Sequence, residues 1–230
     1  MDVSQQVQRV MERIRRAALA AGREPGEITL CAATKVQTDD TIRQAIAAGI
    51  AVCGENRVQE LTAHLAAGAY AGAQVHFIGH LQTNKVKQVV GHVALIQSVG
   101  SLELLDEIEK VAAARGLVQD ILLEVNIGRE AAKSGFAPEK VLPAAEAALE
   151  RTHVRVRGLM TIPPADAQRD ANFRYFQEVQ ALYVDMNQKL FHNELEYLSM
   201  GMSGDYEDAI RAGATMVRVG SAIFGARHYN

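Results

Sequence analysis

Lys35 closes the apolar run Ile28-Thr29-Leu30-Cys31-Ala32-Ala33-Thr34, and a lysine so placed has two natural uses. It is either a solvated rim residue or a nucleophile at the mouth of a pocket. Taken alone the run favours the rim, because lysine is almost never buried without a reason. Partly desolvated, however, the amine holds its proton less tightly and attacks carbonyl carbon. Far along the chain, Ser199-Met200-Gly201-Met202-Ser203-Gly204 and Gly220-Ser221 are small, donor-rich segments. Backbone N–H groups and hydroxyls at such turns hold phosphate, and the helix that Gly220-Ser221 opens adds a favourable dipole. Either segment alone is equally well read as glycine ending a strand and serine capping a helix; the two together favour phosphate. Arg218 alternates with Val217 and Val219 and so points the opposite way. An arginine turned out against packed helices is costly, so it is expected to point inward, a permanent cation just before the phosphate loop.

Other chemistries lack their residues. Glu55 stands alone and Asp205 reads as a helix-cap neighbour, so no carboxylate pair is present. There is no His-Glu-x-x-His pattern, and Cys31 and Cys53 have no metal-ligand spacing. A phosphate clamp with a strand-end lysine leaves two options: pyridoxal phosphate held as a Schiff base, or a lysine-dependent aldolase acting on a phosphorylated sugar.

Behind these residues lies a regular alternation of elements. Val3, Val7, Val10, Ile14 and Ala18 mark one face of a helix that Gly22 ends. Strands are then expected at Ile28–Thr34, Ile50–Cys53, Val75–Ile78, Val93–Ile96, Ile121–Asn126, Val156–Thr161, Leu195–Ser199 and Met216–Val219. Helices are expected at Thr41–Ala48 (capped by Asp39 or Asp40), Arg57–Ala67, Lys85 to about Val90, Leu102–Arg115 (behind a Ser98–Ser101 loop and cap), Pro138–Leu149, Ala167–Lys189 and Tyr206–Ala212. Strand, loop and helix repeated about eight times predict an α/β fold, a single (β/α)8 TIM-type barrel over residues 1–230 with an extra N-terminal helix. A doubly wound open sheet shares the alternation, but it prefers a glycine-rich loop after its first strand, where this chain has Ala33-Thr34-Lys35-Val36-Gln37. In a barrel the strand ends converge. They are Lys35, Glu55-Asn56, His80, Ser98, Asn126, Thr161, Ser199–Ser203 and Arg218–Ser221.

The 230 residues, 48% of them hydrophobic and 22% charged, describe a soluble globular protein. A net charge of −3 argues against nucleic acid as the main partner. Both cysteines sit in apolar runs, as reduced core residues of a cytoplasmic protein do. No signal peptide or membrane span is legible.

The chain resembles the pyridoxal phosphate homeostasis proteins, relatives of the N-terminal barrel of alanine racemase (fold type III). The resemblance covers nearly the whole chain. It is carried by Ala33-Thr34-Lys35, Gly54-Glu55-Asn56-Arg57-Val58-Gln59-Glu60, His76-Phe77-Ile78-Gly79-His80-Leu81-Gln82-Thr83-Asn84-Lys85, Lys133-Ser134-Gly135, Gly158-Leu159-Met160-Thr161-Ile162, Leu198-Ser199-Met200-Gly201-Met202-Ser203 and Val217-Arg218-Val219-Gly220-Ser221-Ala222-Ile223-Phe224-Gly225. It implies pyridoxal 5'-phosphate bound as an aldimine at Lys35, with Arg218 facing the pyridine nitrogen. Ser203, Gly220 and Ser221 match phosphate contacts; Asn56, Ser199 and Met200 match residues lining the ring. His80 falls near the site with no assigned role. Relatives often follow the first lysine with Thr-Lys-Pro where this chain has Val36-Gln37-Thr38, which leaves Lys133 as an alternative second lysine.

The implied function is intracellular cofactor homeostasis: a monomer that buffers pyridoxal phosphate or delivers it to apo-enzymes, with effects on amino-acid and keto-acid metabolism. A residual amino-acid racemase is the alternative. An arginine keeps its proton and leaves the pyridine nitrogen unprotonated, a weaker electron sink. The racemases also draw a second acid–base group from a tyrosine on a further domain, whereas this sequence ends at Asn230. Robust racemisation is therefore not expected.

Overall fold

A computed structural model describes residues 2–130, 133–164 and 169–225. Its parallel strands are β1 (Thr29–Ala33), β2 (Val52–Glu55), β3 (Gln74–Phe77), β4 (Leu95–Val99), β5 (Gln119–Val125), β6 (Val154–Thr161), β7 (Tyr197–Ser199) and β8 (Met216–Val219). They close in chain order into a barrel, β8 pairing back onto β1 with Arg218 opposite Cys31. The helices are α1 (Val3–Ala20), α2 (Asp39–Ala47), α3 (Val58–Ala66), α4 (Leu102–Ala114), α5 (Val141–Leu149), α6 (Arg169–Leu190), α7 (Tyr206–Arg211) and α8 (Ser221–Phe224). This is the expected α/β barrel, and α1 is the extra N-terminal helix. Asp2 accepts the Ser4 and Gln5 N–H groups at the start of α1, which buries Val7, Val10, Ile14 and Ala18.

The period-2 alternation of the strands makes two apolar layers. Cys31, Ala33, Val52, Leu95, Leu122, Met160 and Met216 fill the barrel interior. Ala32, Cys53, Ile96, Leu123, Val217 and Val219 face the helices, where they meet Leu105 and Ile108 of α4 and Ala145 of α5. Two residues after Met216 on the same face, Arg218 points inward as expected.

Several boundaries differ from the sequence pattern for definable reasons. β2 extends through Gly54 because a Cβ there would lie 2.7 Å from Cys31 Sγ and 2.8 Å from Ile78 Cδ1, so only glycine permits the pairing. β4 runs on through Ser98 and Val99, and Ser101 alone caps α4. Thr38 caps α2, its hydroxyl accepting from the Thr41 N–H, so Asp39 and Asp40 occupy the first turn. Lys85–Val90 is replaced by a 3₁₀ turn at Thr83–Gln88, and a 3₁₀ turn at Pro138–Lys140 precedes α5. α6 begins at Arg169; Ala167, the expected start, lies outside the described residues. Among the described residues no helix is long and apolar enough to cross a membrane.

Candidate functional site

At the C-terminal mouth of the barrel, the Thr34 hydroxyl donates to the buried Glu55 carboxylate at 2.7 Å, tying the end of β1 to the end of β2. Lys35 follows, half-buried, and the chain then turns through Val36 at φ 64°. A β-branched residue resists that left-handed geometry. Here the Val36 N–H is held by Glu60 of α3 at 2.8 Å. The strained turn fixes where Lys35 leaves the strand.

Lys35 lines a cavity of about 280 Å³ together with Arg218, Ser203, Gly220 and Ser221, and with Gln37, Met202 and Phe224 around them. Ser203 Oγ accepts the Gly220 and Ala222 N–H groups, each at 3.2 Å, and so couples the loop after β7 to the start of α8. That loop is shaped by Asp205, which accepts the Met202 N–H at 2.7 Å. Arg218 is 3% exposed; it donates to Ser199 Oγ at 2.7 Å and to the Thr161 carbonyl at 2.8 Å. Burial pulls the guanidinium down from its ordinary range, while nearby Glu124 and Asp205 oppose the shift. An arginine retains its charge under such pressure.

The remaining expected residues lie elsewhere. Ser199 is beneath the cavity, holding Arg218. Met200, the residue just past the end of β7, packs into the helix-facing core. Asn56 sits at the end of β2 with Oδ1 buried and unpartnered. His80 is exposed and lines a separate cavity of about 510 Å³ with Gln82, Asn84, Ser98 and Ser101. Lys133 pairs with Glu130 at 2.5 Å. A groove of about 610 Å³ between α1 and α7 is lined by Arg13 and Arg211, which pair with Glu207 and Asp208.

Among the buried polar residues that the strand-end pattern does not single out are His76, Gln97 and Glu124. Glu124 shares the inward face of β5 with Leu122 and accepts from Ser134 at 3.0 Å. Burial pushes its carboxyl up, against that hydrogen bond and the fields of His80 and Arg218. The folded protein therefore keeps a proton on Glu124 at a pH where the unfolded chain has lost it. Stability from this group falls as pH rises from the unfolded pKa to the raised one, by about 1.4 kcal/mol per pH unit. Glu124→Gln, which does not titrate, is expected to gain on wild type across that window in denaturation measured from pH 4 to 8. A difference independent of pH would contradict the buried carboxyl.

The family model for the alanine racemase N-terminal domain matches residues 6–228. The pyridoxal phosphate homeostasis protein of Aquifex aeolicus is 42% identical over 229 residues, covering 100% of both chains. The chain belongs to the pyridoxal phosphate homeostasis protein family. Solved structures agree. A crystal structure of an unknown protein from Bifidobacterium adolescentis superposes with a TM-score of 0.91 at 37% identity, covering 97% of this chain and 94% of that one. PipY of Synechococcus elongatus, solved with pyridoxal phosphate bound, gives a TM-score of 0.80 at 30% identity, covering 93% and 100%. In this member of the family the barrel mouth presents a lysine, a buried arginine and a serine–glycine cradle to one cavity.

Proposed function

We propose that this chain binds pyridoxal phosphate at the barrel mouth through a Schiff base to Lys35, and that it buffers the cofactor or delivers it to apo-enzymes, acting as a monomer in the cytoplasm. The observation that carries the reading is the convergence of Lys35, Arg218, Ser203, Gly220 and Ser221 on one cavity. The residues fit the group: an amine for its aldehyde, hydroxyl and N–H donors for its phosphate, and a cation for its ring nitrogen. The orphaned Oδ1 of Asn56, at the end of β2, is an acceptor that could serve the ring. PipY, with the cofactor bound, supports the assignment.

When bound, pyridoxal phosphate supplies an aldehyde that condenses with amines and a ring that withdraws electrons. Arg218, which keeps its protons, would face the ring nitrogen as a cation and so hold that sink weak. Among the described residues lining the cavity, Lys35 is the one side chain of acid–base type besides Arg218, and racemisation needs such a group on both faces of the reacting carbon. The chemistry of the lining therefore favours holding the cofactor over turning amino acids over.

The test is a spectral titration with pyridoxal phosphate, followed by mixing the loaded protein with an apo-enzyme that needs it. A saturable visible band and recovery of the enzyme's activity are expected. Binding without transfer restricts the role to buffering, and no band at all overturns the reading. Ser203→Ala removes the hydroxyl that ties the two phosphate loops. It is expected to weaken binding roughly tenfold in the same titration, with the band's position kept. Unchanged affinity would take Ser203 out of the cradle.

A further inference from the structure

Beneath the cavity, four buried polar side chains cross the barrel interior from β8 to β3 in one line. Arg218 Nη1 donates to Ser199 Oγ at 2.7 Å, and Ser199 donates to Gln97 Oε1 at 2.7 Å. Gln97 Nε2 lies 3.0 Å from His76 Nδ1. None of the four is more than 3% exposed. Buried polar groups are so costly unpaired that every member of such a line constrains the next.

The donor order starts from the arginine. A guanidinium has no acceptor, so Ser199 accepts from it, and the Ser199 hydroxyl donates to the Gln97 oxygen that faces it. The Gln97 amide then turns its nitrogen to His76, a placement that also brings Nε2 to 3.1 Å from Met216 Sδ. His76 must receive that hydrogen bond at Nδ1, which makes it a neutral imidazole with its proton on Nε2. Burial works in the same direction, pulling the imidazole down to about 4.

We infer that Gln97 and His76 are positioning residues for Arg218, orienting its guanidinium through Ser199 toward the cavity. The inference rests on reading that cavity as a pyridoxal phosphate site, and it extends the site to two residues that do not line it. With Nη1 tied to this line and Nη2 to the Thr161 carbonyl, the cation is fixed before any ligand arrives. Orientation settled during folding does not have to be settled on binding.

Two measurements test this. In the protein without added cofactor, ¹⁵N spectra are expected to show His76 as the Nε2–H tautomer near neutral pH. Gln97→Glu keeps the side chain's shape and the acceptor for Ser199 but puts an acceptor opposite His76, so the imidazole proton is expected to move to Nδ1. In titrations with pyridoxal phosphate, Gln97→Leu is expected to weaken binding about tenfold, to speed release by a similar factor and to shift the visible band. Gln97→Glu, which still anchors Ser199, is expected to restore most of that loss. An Nδ1–H tautomer in wild type, or an unmoved tautomer in Gln97→Glu, overturns the line even where Gln97→Leu does not fold. A Gln97→Leu protein with wild-type affinity, release rate and band overturns the positioning role. A wild type that shows no band overturns the cofactor reading, while the tautomer measurement still decides the donor order.

Discussion

Lys35→Ala is expected to abolish the visible band that pyridoxal phosphate produces with wild type, and to leave nothing for borohydride to fix. Lys35 lies two residues beyond β1, on the rim of the cavity that Ser203, Gly220, Ser221 and Arg218 also line. Removing its amine takes away the nucleophile and leaves the phosphate cradle intact, so weak non-covalent binding should persist. A loss of a hundredfold or more in affinity, roughly 3 kcal/mol, is expected from equilibrium titration. Substitution at a half-buried rim position should leave the thermal midpoint near that of wild type. A variant that keeps the band, at any affinity, would move the covalent link to another lysine.

A large loss of stability is expected on substitution of Gly79, just past the end of β3. A Cβ built there would lie 2.1 Å from the Asn56 carbonyl oxygen and 2.6 Å from Asn56 Cα. The Gly79 carbonyl also accepts from Ser98 Oγ at 2.6 Å, so the residue is gripped between the ends of β2 and β4. Backbone atoms cannot rotate out of the way as a side chain does. Gly79→Ala should cost more than about 4 kcal/mol, the range reserved for overpacked or strained sites. For a chain of this size that is a fall of roughly 10 °C or more in thermal midpoint. A shift of only about 2 °C would show that the two loops separate freely. The same contact bears on the end of β2, because the backbone it would strike is that of Asn56.

The ends of the strands were legible in the sequence because position in a barrel strand carries meaning. Lys35 and the Ser203, Gly220 and Ser221 loops stand where an apolar run stops, and Arg218 declares its direction by alternating with two valines. The same rule places Met200 outward once Ser199 is inward. The resemblance to relatives had set Met200 among the ring contacts; the structure packs it into the helix-facing core. Gln97 is hidden because Leu95-Ile96-Gln97-Ser98-Val99 looks like a strand ending early, when it is a strand whose register shifts between Ile96 and Val99. His76 stands inside the strand run Val75-His76-Phe77-Ile78, and nothing local says that a histidine will meet a glutamine from the next strand. Cap choice among Thr38, Asp39 and Asp40 is degenerate in sequence, since all three residue types cap helices well. Glycine at 54 reads as a break until the approach of Cys31 and Ile78 shows why the strand needs it.

The central claim is that the cofactor is held at Lys35, and peptide mapping tests it most directly. Protein loaded with pyridoxal phosphate is reduced with borohydride, digested and analysed by mass spectrometry. The expected result is one phosphopyridoxyl group per chain, carried by Lys35. A label spread over surface lysines such as Lys85 and Lys133, with Lys35 unmodified, would contradict it.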